Sequence, residues 1–197
     1  MEKTFTYNVQ GKMLQMVLYP AYYGYNRTLA VIFYEKGRNR NEEYWELTCC
    51  MDDAPGKNKA FLDVNDMGEQ IAEELEKAGF GKRTGRTKQS GFVIYPEFEF
   101  DAEILKEYTN NEYEQYLKWQ NELKEDEQYL IAECDRCQGS FPLIVKKSEV
   151  EKYYEYQEGA PYLIQDIFPD LTAEERGLLA RGQNVCGKCF RKMFGIE

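Results

Sequence analysis

Two cysteine pairs, Cys134-x-x-Cys137 and Cys186-x-x-Cys189, are the residues of this chain best suited to chemistry. A two-residue gap lets a tight turn aim both sulfurs at one point while backbone N–H groups satisfy the thiolates. Two such pairs complete a tetrahedral four-cysteine zinc site. Gly139 stands where the turn is expected to need a residue tolerant of positive φ. The 48 residues between the pairs exceed the roughly 15–20 of the common zinc pattern, but they carry elements of their own. Two independent redox pairs, or four unliganded thiols, are the alternatives. A catalytic zinc keeps three protein ligands and an open position for water, whereas four cysteinates close the shell. The expectation is one structural zinc held by Cys134, Cys137, Cys186 and Cys189.

The chain contains no histidine. That removes the commonest general base, the Ser-His-Asp and Cys-His nucleophile systems, and every metal site that needs an imidazole. No carboxylate, lysine or cysteine spacing nominates a catalytic pair, so the chain is expected not to be an enzyme. A weaker signal is the basic segment GFGKRTGRTKQSGF, where Lys82, Arg83, Arg86 and Lys88 stand among Gly79, Gly81, Gly85 and Gly91. Glycine-freed N–H groups and guanidinium forks can hold phosphate, yet neither GxxxxGK[ST] nor GxGxxG occurs. A solvated basic loop is the plain reading; an anion or nucleic-acid contact, joined by Lys188, Arg191 and Lys192, is the sharper one.

Tyrosines cluster at Tyr22, Tyr23 and Tyr25 and at Tyr153, Tyr154 and Tyr156, which suits an interface or partial burial over the core. Neighbours Cys49 and Cys50 on one strand would point to opposite faces. Asp52, Asp53, Asp63 and Asp66 could gather around Mg²⁺, but no basic partner motif accompanies them.

The elements that must position these residues fall into three stretches of different charge. Residues 1–100 hold 13 basic and 15 acidic side chains, residues 101–130 hold 3 and 9, and residues 131–197 hold 9 and 11. More than half of the net charge of −10 therefore sits in the middle stretch. Residues 1–100 read as an α+β domain: a small antiparallel sheet with one packed helix. TFTYNVQ and KMLQMVLY flank Gly11-Lys12 as a hairpin, and TLAVIFYE and EYWELTCC form a second. A capping box at Asp66 and Glu69 opens a helix through Ile71, Leu75 and Ala78 that stops at Gly79. GFVIYPEFEF is a further strand after the basic loop.

Residues 101–130 read as a long acidic connecting helix. Asp101 is its N-cap, and Leu105, Tyr108, Tyr116, Trp119 and Leu123 form one stripe that either docks on the sheet or serves as an interaction face. Residues 131–197 read as a four-cysteine module of treble-clef or zinc-ribbon type. Within it FPLIVKK is a strand, Ser148 with Glu151 and Thr172 with Glu175 are capping boxes, YLIQDIFPDL is extended, and CGKCFRKMF is a final helix.

The run AFLDVNDMGEQIAEELEKAGFGKRTGRTKQSGFVIYPEFEF resembles the bacterial domain of unknown function 4313. Thr84, Gly85, Arg86, Ser90, Gly91, Phe92 and Pro96 match its loop-strand pattern, and Phe80 stands where the pattern has Leu. The likeness covers residues 1–100. The C-terminal block is similar to four-cysteine zinc modules appended to phage and plasmid proteins. These resemblances imply carriage on phages, plasmids or conjugative elements, and bring no assigned activity.

Together the expectations describe a non-enzymatic zinc-binding interaction protein that modulates a host or phage protein complex, with an anti-defence inhibitor as the specific version. A nucleic-acid-binding regulator is the alternative, against which the net charge of −10 counts. The opening MEKTFTYNVQGKMLQMVL lacks a basic region followed by an apolar run. No stretch approaches the roughly 20 apolar residues of a bilayer span. A cytoplasmic chain with a protein partner and no membrane contact is expected.

Overall fold

Polarity alternates on either side of Gly11, and the two segments pair as β1 (Phe5–Val9) and β2 (Lys12–Tyr22) in the register Phe5↔Met16 to Val9↔Lys12. The computed structural model describes residues 3–9, 11–37, 44–52 and 54–195, which divide into two units, 1–122 and 123–197. In the first, β3 (Leu29–Glu35) and β4 (Tyr44–Glu46) complete an antiparallel sheet of order β1-β2-β3-β4. Phe5, Met16, Leu18, Val31 and Phe33 from this sheet enter the core.

The expected second hairpin is split between two sheets. After Leu47, β5 (Thr48–Cys49) joins β6 (Lys59–Leu62), β7 (Gly81–Ser90) and β8 (Val93–Phe100) in the order β5-β6-β8-β7. Buried Thr48 stitches the change of sheet: its Oγ1 accepts from the Val31 amide at 2.9 Å, and its carbonyl accepts from the Tyr23 hydroxyl at 2.5 Å. The small single sheet expected for this region is thus two four-stranded sheets.

The expected helix is also divided. Asp63, not Asp66, is the cap: its carboxylate accepts from the Asn65 and Asp66 amides and opens α1 (Val64–Met67). Gly68, at φ 86°, ends that turn in a backbone conformation other residues disfavour. The chain restarts as α2 (Ile71–Lys77), whose Ile71, Ala72 and Leu75 are buried. Gly79 follows the helix at φ 72°, as expected of a stop.

Residues 101–130 do not form one connecting helix. Asp101 does cap α3 (Ala102–Glu107), accepting from the Glu103 and Ile104 amides at 2.8 and 3.2 Å. Asn110 then caps a second helix, α4 (Asn111–Glu122), through Oδ1 bonds to the Glu112 and Tyr113 amides. Leu105, Tyr108, Tyr113 and Tyr116 are buried in the core of the first unit, and Trp119 meets Tyr22 edge-on at 4.7 Å. The aromatic face therefore packs within its own unit. Glu127–Glu133 is not helix but strand β9 of the second unit.

In that unit β9 pairs with β10 (Ser140–Lys146) in the register Ser140↔Glu133 to Lys146↔Glu127. Helix α5 (Lys147–Gln157) begins before the expected cap at Ser148, with the Glu149 carboxylate accepting from the Lys146 amide at 2.9 Å. The stretch expected to be extended contains α6 (Ile164–Ile167). The capping box of Thr172 and Glu175 is present and opens α7 (Ala173–Leu179). The chain then reaches α8 (Gly187–Phe194), the expected final helix. Leu130, Leu143, Val145, Phe168 and Leu179 form the core together with Cys134 and Cys186.

Candidate metal centre

The β9–β10 hairpin places Cys134 and Cys137 at its tip. Cys186 is the N-cap of α8, and Cys189 lies in the first turn of that helix. All four sulfurs lie within 4.8 Å of one another, and Cys137 Sγ is 3.9 Å from Cys186 Sγ. With metal–thiolate bonds of about 2.3 Å, a tetrahedral ion spaces its sulfurs by roughly 3.8 Å. A disulfide would need about 2.05 Å. The donor set fits one soft, tetrahedrally bound metal ion, with every coordination position filled by protein. Cys134 and Cys186 are buried, Cys189 half-buried and Cys137 exposed.

The hairpin tip is held by three backbone bonds: the Cys134 amide to the Gly139 carbonyl, the Gln138 amide to the Cys134 carbonyl, and the Asp135 amide to the Asn184 carbonyl. Gln138, not Gly139, takes the left-handed conformation, at φ 55°. Gly139 answers to space instead. A Cβ there would stand 3.1 Å from the Phe141 ring and 3.2 Å from the Cys137 sulfur.

The Cys186 amide donates to Cys134 Sγ at 3.3 Å. Together with the Cys137 and Arg136 amides it draws the Cys134 thiol down to about 6. Sulfur neighbours act in the opposite sense on Cys189, which hydrogen bonds to Cys186, burial, Cys137 and Cys134 push up to about 12. One thiolate forms readily, while Cys189 keeps its proton in hydrogen bonds to the other sulfurs, a proton that metal binding would release.

The other predicted residues are not gathered into this centre. Lys82, Arg83, Arg86 and Lys88 lie on a strand, β7, and not in a loop. Arg83 binds Glu76 through Nε at 3.0 Å and Nη2 at 2.6 Å, and Lys82 Nζ is 3.5 Å from Glu99. Arg86 Nη1 and Thr84 Oγ1 both donate at 2.7 Å to the carboxylate of Glu97, which is 4% exposed. Gly85, at φ 86°, makes the bulge that turns both side chains onto that carboxylate. The cations expected to receive phosphate at Arg83 and Arg86 are thus committed to internal carboxylates. Sequence reasoning missed Glu97, one of two glutamates alternating with phenylalanines in β8, where charges set among large aromatic residues signal a need for partners.

Cys49 and Cys50 are both half-buried, and burial pushes their thiols up to about 12 and about 11. Asp63 serves as the α1 cap, Asp53 lies outside the described residues, and no aspartate joins a metal-ligating group among those described. Tyr23 and Tyr156 are part of the packing, Tyr156 through its hydroxyl to the Arg181 amide at 3.0 Å, whereas Tyr25 is exposed. Among the described residues no helix is long and apolar enough to cross a membrane.

Comparison with known proteins adds one finding. A family model described as a domain of unknown function, DUF4313, matches residues 18–119. No curated protein and no solved structure matches the chain.

Proposed function

The chain belongs to the DUF4313 family, and we propose that it is a non-enzymatic interaction protein whose second unit, outside the matched residues, is built on one structural zinc. Cys134, Cys137, Cys186 and Cys189 would hold the ion, which supplies a cross-link between the hairpin tip and the start of α8 and no reactive ligand position. One ligand pair on a hairpin turn and the other at a helix N-terminus is the treble-clef arrangement. The observation that carries the reading is the closed set of four sulfurs within 4.8 Å. With every position filled there is no place for a metal-bound water to act as nucleophile.

The partner is a host or phage protein complex, met through carriage on a mobile element. An anti-defence inhibitor that occupies a basic cleft is the specific version, supported by the net charge of −10. The alternative, a nucleic-acid regulator, would draw on Lys188, Arg191 and Lys192. Its other basic stretch is weakened by the pairing of Arg83 with Glu76 and of Arg86 with Glu97.

Affinity purification of the tagged full chain from a bacterial lysate, with and without nuclease, tests the choice. A stoichiometric protein that resists nuclease and weakens with salt supports the interaction reading. Nucleic acid that nuclease removes favours the alternative. Recovery of neither defeats both.

A further inference from the structure

Three of the four metal-site cysteines, Cys137, Cys186 and Cys189, line one open recess of about 570 Å³. A space of that size admits small molecules from solvent. Lys188 and Lys192 line it, but so do Glu174 and Glu175. The formal charges of these four side chains cancel. The recess therefore selects neither an anion nor a cation, and suits a small neutral molecule.

The sulfurs of the centre are not equivalent. Cys137 is exposed, Cys189 half-buried and Cys186 buried. Cys134 is fully buried, and its sulfur accepts from the Cys186 amide. Gly139 adds to the asymmetry: a Cβ there would stand 3.2 Å from the Cys137 sulfur, whereas glycine leaves that side of it uncovered. Cys137 Sγ is in turn 3.9 Å from Cys186 Sγ. An accessible cysteine beside a second one that can resolve it is the arrangement of a peroxide-sensitive thiol pair.

We infer that the four-cysteine centre is a redox-sensitive clasp, opened by hydrogen peroxide through Cys137 and Cys186. The inference rests on the structural-zinc reading and deepens it. The Cys137 thiolate attacks one peroxide oxygen: an S–O bond forms, the O–O bond breaks and hydroxide leaves. The Cys186 thiolate then attacks the sulfenic sulfur, forming an S–S bond and expelling a second hydroxide. Two electrons pass from the sulfur pair to the peroxide, and solvent protons convert both hydroxides to water. Cys134 and Cys189 alone cannot fill a four-ligand shell, so the chain gives up its ion. Oxidation thereby trades an ion that ties four residues together for a bond that ties two.

Treatment of the zinc-loaded full chain with hydrogen peroxide provides the test. A zinc-binding dye reports release of the ion, and peptide mass mapping reports the new bond. The ion should be released, a cross-link between Cys137 and Cys186 should appear, and dimedone present during the reaction should trap the sulfenic acid on Cys137. A thiol reductant with added zinc should restore loading. C49S/C50S, which leaves all four ligands in place, should release its ion at the rate of the parent. Retention of the ion under peroxide, dimedone on Cys134 instead, a cross-link within either Cys-x-x-Cys pair, or a C49S/C50S variant that no longer responds overturns the inference. The two readings fail separately. A freshly purified, reduced chain that holds no metal removes the structural-zinc reading, whereas a loaded chain that peroxide leaves loaded removes the clasp alone.

Discussion

The two units bury their polar chemistry in opposite ways. In residues 1–122 the buried carboxylate of Glu97 is satisfied by Thr84 and Arg86 beside Phe61, on the sheet face opposite its strand neighbour Phe98, which enters a core of large aromatics. That unit has two sheets and enough apolar surface to repay the desolvation of one ion pair. In the second unit a two-stranded hairpin and the helices α5, α6 and α7, each of eleven residues or fewer, close over a small core that includes two cysteines. Units this small commonly need a metal or a disulfide as a staple. The difference lies in what each unit has to draw on: ample apolar area in the first, and in the second a smaller core with four sulfurs gathered at its edge.

The largest expected effect breaks the second unit alone. Cys134→Ser, or removal of metal by a strong chelator, should unfold residues 123–197, because binding to a structural four-thiolate site supplies of order 10 kcal/mol. Hydrogen exchange should show protection lost from β9, β10 and α7 and retained in β2 and β3. Loss of protection in both units would erase the distinction. The converse experiment is Phe98→Ala, at a position fully buried in the first core. It should cost about 3–5 kcal/mol by denaturant titration and leave the metal content unchanged.

A smaller effect is expected at the buried ion pair. Glu97→Ala strands Arg86 and Thr84, and should cost about 2 kcal/mol, less than a fully buried pair because Arg86 is partly solvated. Denaturant midpoints of the variant and the parent give the number. Arg83→Glu, at the exposed end of β7, should change stability least, because its bond to Glu76 is open to water.

Thiol chemistry sharpens the contrast further. Burial holds Cys49 and Cys50 up at about 12 and about 11, so both stay protonated at pH 8, and their contribution to stability is lost only as pH rises from about 9 toward those values. Iodoacetamide at pH 8 should therefore modify Cys49 and Cys50 slowly, and the four metal-site cysteines promptly once chelation has unfolded the second unit and freed them from each other. Equal rates at all six would contradict it.

How much of this was legible in the residues depended on range. The four cysteines that the fold brings together could be read because thiolate chemistry and a two-residue gap are local facts, and the capping box at Thr172 and Glu175 is equally local. Asp101 was found for the same reason. The split at Asn110 was missed because Glu, Gln, Leu and Lys on both sides of it favour helix, so only the competing cap divides them. Glu127–Glu133 shares that helical composition and became a strand through pairing with β10, a long-range contact that overrides propensity. β7 gave no period-two signal because nearly every residue along it is exposed, so polar and glycine-rich sequence passed for a loop.

That exposed strand lies at the rim of its sheet, with one row of backbone amides and carbonyls facing outward. Such a rim invites the strands of other molecules to add on, the first step toward polymeric aggregates. The irregular pairing between Arg83 and Thr87, and the run of lysine and arginine along the strand, are features that obstruct this addition. The same cations that the sequence marks as a lure for phosphate thus stand along the edge where another strand would have to add.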